Sequence, residues 1–302
     1  VFKRLAVPVA ATMIAAGIAV PQAVASEKCS IEVVSGTLNW GIKQSWRSYI
    51  QGPIAKGKWE TTGSVSEGSG GKSSAGFAFT FDVDPQTSKV ALDSQGKVSL
   101  AEIKTKTSSL TFTGHGDSLQ SIMKSPYVSV NGQDVKAGAS YEGYYVEGKE
   151  MTKYEAADRT EANKRTGTDT FASGQLEGWK LNGESLSFAG KNMKYTPKPL
   201  TDGKKNVIDG IDILFMGIYN DEYKPEIDDV NIELTVKNNC GIKDGRVPDA
   251  GKPDSPKDLS LGNFPKIWSI VLGVAGLVAT VAVLFQVAMK SGVLRNLPFM
   301  NV

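Results

Sequence analysis

The sequence predicts a mainly β fold: a two-sheet β-sandwich with two short α-helices, followed by a separate apolar helix near the C-terminus. Three observations carry this prediction. Apolar and polar residues alternate in many short runs, Phe77, Phe79 and Phe81 being the clearest, with the period of half-buried strands. Asn131-Gly132 and Asn182-Gly183 fall between such runs as hairpin turn signals. Two stretches, 43–50 and 208–219, read as short helices, one at each end of the folded region.

In chain order, Lys3 and Arg4 precede an apolar run over 5–20 and then Ala23-Val24-Ala25, the pattern of a secretory signal over 1–25 with its cleavage site. Residues 29–39 alternate loosely as a first strand. Residues 43–50 contain no Gly or Pro and place Trp46, Tyr49 and Ile50 at i, i+3 and i+4, with Ser45 one turn before Tyr49. Gly52-Pro53 stops this helix. Residues 63–76 are rich in Gly and Ser without phosphate-loop spacing, and read as a flexible surface loop. Short strands follow over 77–81, 90–92, 98–103, 110–112, 127–130 and 141–146. Residues 155–165 suit an exposed helix or an excursion loop. A hairpin over 176–188, the apolar stretch 208–219 and a last strand over 230–236 complete a domain assigned to 26–240.

Beyond it, 241–265 turns to Pro, Gly, Asp and Lys, a stalk with nothing apolar to fold around. Fully extended at about 3.1 Å per residue it spans roughly 75 Å. Residues 267–289 carry no charge, enough to cross a bilayer, and Lys290 and Arg295 follow. The expectation is a transmembrane helix over 266–290, a cytoplasmic tail over 291–302, and a domain facing outward from the plasma membrane.

Cys29 and Cys240, the only cysteines, bracket the domain and in a secreted chain read as one disulfide. The net charge of +2 and the absence of a basic run among aromatics argue against a nucleic-acid surface. A single histidine, His115, is too few for a zinc site beside paired cysteines. No G-x-S-x-G elbow is present, and the pairs Asp82/Asp84 and Asp228/Asp229 read as solvated strand ends. No catalytic constellation can be assembled, so the chain is read as a non-enzyme.

Residues 40–59, WGIKQSWRSYIQGPIAKGKW, are unusually aromatic. On spacing alone they are a core helix with aromatic anchors. Their pattern, W-G-x-K-x-S-[WF]-R-x-Y-[IV]-x-G-P-[IV]-A-x-G-x-W, resembles the opening signature of the HtaA domain family, haem-binding surface proteins of Gram-positive bacteria. A second family element, T-G-H, matches Thr113-Gly114-His115. The resemblance covers roughly 36–236.

The resemblance implies that Tyr49 ligates the iron of ferric protoporphyrin IX and that His115 hydrogen-bonds Tyr49. Ser45 corresponds to a serine that approaches a haem propionate. Ile218 and Tyr219 fall where many members carry an aromatic followed by tyrosine. Ile218 in the first position removes ring stacking there, and Tyr219 reads equally as a propionate partner or a core tyrosine. The implied role is a membrane-anchored, single-domain haem carrier. Its partners would be another surface haem carrier as donor and an ABC-transporter lipoprotein as acceptor. The rival reading is a non-catalytic β-sandwich adhesion or assembly module, in which Tyr49 and His115 are ordinary packing residues.

Overall fold

The computed structural model describes residues 29–198, 208–219 and 223–240. The expected signal, stalk, membrane helix and tail lie outside these residues. Among the described residues no helix is long and apolar enough to cross a membrane.

Twelve strands dominate: β1 (Cys29–Trp40), β2 (Lys58–Gly63), β3 (Val65–Glu67), β4 (Phe79–Asp82), β5 (Lys89–Leu92), β6 (Val98–Lys104), β7 (Ser108–Gly114), β8 (Leu119–Asn131), β9 (Asp134–Tyr144), β10 (Lys164–Asn182), β11 (Ser185–Tyr195) and β12 (Val230–Lys237). The sole α-helix among the described residues is α1 (Gln44–Gln51). The predicted strands are present, and both Asn-Gly signals join hairpins, β8–β9 and β10–β11.

The strands form one continuous antiparallel sheet, which corrects the expectation of two separate sheets. The order β12-β11-β10-β9-β8-β6-β5-β1 closes on itself because β1 also pairs with β12. Two long strands make this possible by changing partners along their length. β1 pairs with β5 through Cys29–Ile31 and with β4 through Thr37–Trp40. β8 pairs with β7 before residue 125 and with β6 from Tyr127 onward. Register shifts between Val33 and Ser35 and between Lys124 and Tyr127 bend these strands from one partner to the next.

The closed sheet wraps an aromatic core. Trp40 stacks on Phe171 at 5.2 Å, and Phe77, Phe79 and Trp59 meet within 5.9 Å of one another. Residues 208–219 are not an α-helix: Gly210–Phe215 forms a 3₁₀ helix in which all six residues are buried. A segment buried on every side has no amphipathic stripe to set a 3.6 period. The left-handed residues Met216 and Gly217 end it at once. Residues 155–165 form one 3₁₀ turn, Ala156–Asp158, and a loop into β10.

The structure joins Cys29 to Cys240, with Cα atoms 5.8 Å apart and a sequence separation of 211. This ties the start of β1 to the segment after β12, its neighbour in the sheet. Chain-entropy theory for such a loop sets the stabilisation at up to about 5 kcal/mol. Cys29→Ser with Cys240→Ser should lower the urea midpoint accordingly; an unchanged midpoint would show that the β1–β12 pairing alone closes the sheet.

Burial and the carboxylates of Asp169, Asp209 and Asp212 push the Tyr141 phenol up to about 12. An unfolded tyrosine titrates near pH 10, so between about pH 10 and 12 the unfolded chain has lost a proton that the folded chain keeps. Stability is therefore complete below pH 10 and falls as pH rises through that window. Urea midpoints measured from pH 8 to 11.5 should show the fall, and Tyr141→Phe should make it shallower.

Candidate functional site

Helix α1 is short but firmly seated. Trp46 and Ile50 are buried in the core, and Trp46 meets Phe112 and Phe215 edge-on at 5.7 and 5.5 Å. With those residues pointing inward, the 100° step per residue turns Ser45 and Tyr49 to an adjoining face, both half-buried. The Gly52 amide caps the helix by donating to the Tyr49 carbonyl at 3.2 Å.

Two loops meet beside Tyr49. The chain after α1 folds back, the Gly57 amide donating to the Ile50 carbonyl at 2.7 Å. The β7–β8 turn docks onto it, the His115 amide donating to the Ala55 carbonyl at 2.7 Å. A side chain at Gly57 would collide with the Thr113 carbonyl, so glycine permits the approach. His115 and Asp117 take positive φ angles of 54° and 69° on either side of Gly116, a left-handed turn that ordinary residues rarely adopt.

This clasp brings the His115 Nε2 to 2.6 Å from the Tyr49 hydroxyl. Burial pushes the Tyr49 phenol up to about 12 and pulls the His115 imidazole down from its usual value. Both groups are neutral at pH 7. The phenol O–H donates to Nε2 when the imidazole carries its proton on Nδ1, and the roles reverse in the other tautomer.

A second pair lies one turn back along α1. The Ser45 hydroxyl stands 3.4 Å from that of Tyr219. Tyr219 is buried, against Phe215 at 5.0 Å and Tyr195 at 5.4 Å, and burial raises its phenol well above the usual value. Ile218 beside it is half-buried against the core. The structure thus brings Tyr49 to His115 and Ser45 to Tyr219, residues up to 174 positions apart.

Sequence reasoning missed Arg47, which is fully buried. Its guanidinium donates to the carbonyls of Gly41, Lys72 at 3.0 Å and Ser74 at 2.7 Å, pairs with Asp228 at 2.5 Å, and lies 5.2 Å from the Phe77 ring centre. Asp228, read as a solvated strand end, also accepts from the Gln44 amide at 2.9 Å at the start of α1. Residues 63–76 are therefore not a free loop. They include β3 and are strapped to α1 through Arg47 and through Gln44, whose side-chain NH2 donates to the Ser73 carbonyl at 2.9 Å. The arginine in W-R-x-Y was the available signal, since a charge among core aromatics demands a partner.

The donor set suits a flat, apolar, iron-bearing ligand with acidic substituents. Tyr49 offers an oxygen with a proton acceptor beside it. The Ser45–Tyr219 hydroxyls lie one turn, about 5.4 Å, along the helix. Ile54, 51% exposed, offers apolar surface in the loop that follows α1. A bare metal ion is not provided for: no group of three or more His, Cys, Asp or Glu among the described residues could hold one.

In class this is a closed antiparallel β domain that brings a tyrosine and a histidine together from an aromatic helix and a hairpin turn. The chain belongs to the HtaA domain family, whose model, described as Htaa, matches residues 35–202. Among solved structures it is similar to the C-terminal domain of HtaA from Corynebacterium glutamicum, at 19% identity and a TM-score of 0.46, over 68% of this chain and 99% of that one. The N-terminal domain of the same protein matches at 19% and 0.42, over 68% and 99%. Heme binding protein HtaB from Corynebacterium glutamicum matches at 18% and 0.43, over 70% and 98%. A search of curated proteins finds no match.

Proposed function

We propose that this protein is a cell-surface haem-binding protein that takes up ferric haem at Tyr49 and relays it towards an import system. The observation that carries the reading is the 2.6 Å contact between Tyr49 and His115 in a chain of the HtaA family. In this reading the haem iron is the Lewis acid that favours the phenolate form of Tyr49.

The chain's own residues do the rest. His115 accepts the Tyr49 proton or donates to the resulting oxygen, according to its protonation. The core seating of Trp46 and Ile50 holds the phenol in place, and the loop clasp holds the imidazole. Ser45 presents its hydroxyl to a propionate, and Tyr219, buried behind it, is its hydrogen-bond partner. Binding and release complete the task without a catalysed reaction. The domain faces outward on a C-terminal membrane anchor, with a second surface carrier and a transporter lipoprotein on either side of the relay.

Haemin titration of the purified protein tests this. A saturable one-to-one Soret change, with a five-coordinate high-spin ferric spectrum, is expected. Absence of stoichiometric binding would sink the haem reading and leave the adhesion module in its place.

A further inference from the structure

We propose a second binding site, on the outer face of the sheet, that takes a pyranose sugar bearing a carboxylate. A groove of about 390 Å³ runs over β6, β8, β9 and β10, within the size range of small-ligand sites. It lies far from Tyr49: Tyr127 sits eight residues along β8 from its His115 end, roughly 25 Å at the rise of a strand.

The bend in β8 creates the concavity. Ser125 takes a φ of 40°, rare for a residue with a side chain, and the Thr105 hydroxyl holds the bend by donating to the Pro126 carbonyl at 2.8 Å. Beyond it, Tyr127 leans across the sheet. Its partner in the ladder is Gly138, where a Cβ would stand 2.5 Å from the tyrosine hydroxyl, and that hydroxyl lies 3.0 Å from the one on Thr170 of β10. The tip of the ring therefore reaches over the bare backbone at Gly138, and the ring lines the groove. An aromatic platform of this kind matches the C–H face of a sugar ring.

The remaining lining matches the sugar's edge. Thr87, Ser125, Ser140 and Thr168 supply hydroxyls, the last two 2.7 Å apart. Lys104 is the only charged side chain in the lining, is exposed, and makes no ion pair among the described residues. Two nearby carboxylates are already engaged. Asp84 accepts from the Thr87 hydroxyl and the Gln86 amide, and Glu142 pairs with Lys124 and Lys164. A single free ammonium among hydroxyls selects an acidic sugar over a neutral one.

Saturation-transfer NMR on the full chain, with tri-galacturonate as probe and galactotriose as neutral control, tests the site. Transfer to the pyranose ring protons of tri-galacturonate is expected, stronger than to the control. Lys104→Gln should weaken binding about tenfold, the worth of a hydrogen bond to a charged group. Thr168→Arg fills the groove from its exposed rim while adding positive charge, so loss of binding there marks the groove itself. Tyr127→Ala should also abolish transfer while the protein still unfolds cooperatively, at a somewhat lower melting temperature. No transfer with the wild type, or transfer that survives Thr168→Arg, overturns the proposal. Haemin binding by these variants reports on the Tyr49 site separately.

Discussion

Replacing Tyr49 with phenylalanine should abolish saturable haemin binding while leaving the fold intact. The substitution keeps the ring and its 5.5 Å contact with Trp46, and removes only the hydroxyl that faces His115. Nothing in the core depends on that hydroxyl, since its partner His115 is exposed. The melting temperature should therefore hold or rise slightly, because a half-buried polar group has been removed. His115→Ala leaves the oxygen and removes its partner. Loss of such supporting contacts typically costs 10–100-fold in metal affinity, and a weakening of about that size is expected. The two variants separate ligand from partner: one loses the Soret change, the other keeps it at higher haemin concentration. A Tyr49→Phe protein that titrates like the wild type would remove Tyr49 from the site.

The largest expected effect on stability belongs to Arg47→Met. Methionine fills much of the same volume but leaves the Asp228 carboxylate without its cation and three backbone carbonyls without their donor. Breaking a buried charge pair in this way costs about 3–5 kcal/mol. Two consequences follow locally, since Arg47 both seats α1 and holds residues 72–74. Urea unfolding with the disulfide intact measures the loss. Adding Asp228→Asn removes the stranded charge and should recover part of it, whereas a mere volume defect would not respond. A single variant within 1 kcal/mol of wild type would show that solvent at Asp228 already screens the pair.

Much of this was legible in the one-dimensional pattern. Period-two alternation marked the strands, Asn-Gly marked the turns, and the W-G-x-K-x-S-W-R-x-Y signature with T-G-H pointed to Tyr49, His115 and Ser45. These are local signals, fixed by backbone geometry within a few residues. The resemblance also implied that His115 hydrogen-bonds Tyr49, and the structure holds the two groups 2.6 Å apart. That contact depends on the Gly57 approach and the Ala55–His115 hydrogen bond between two separate loops.

Where the reading fell short, long-range burial decided the outcome. The 208–219 stretch looked helical because it is apolar, yet enclosure on all sides left it as a 3₁₀ segment. Asp228 and the Gly/Ser loop looked solvated because each is polar in its own neighbourhood; Arg47, distant in sequence from both, makes them structural. Closure of the sheet through β1 and β12 likewise joins strands at opposite ends of the domain. Residue type and short spacing were enough for the strand content and the hairpin turns, and a chain with two cysteines in all left one disulfide to form. The tertiary structure alone decided the closed sheet and the buried arginine, because each depends on which distant groups share an interior with no water to satisfy them.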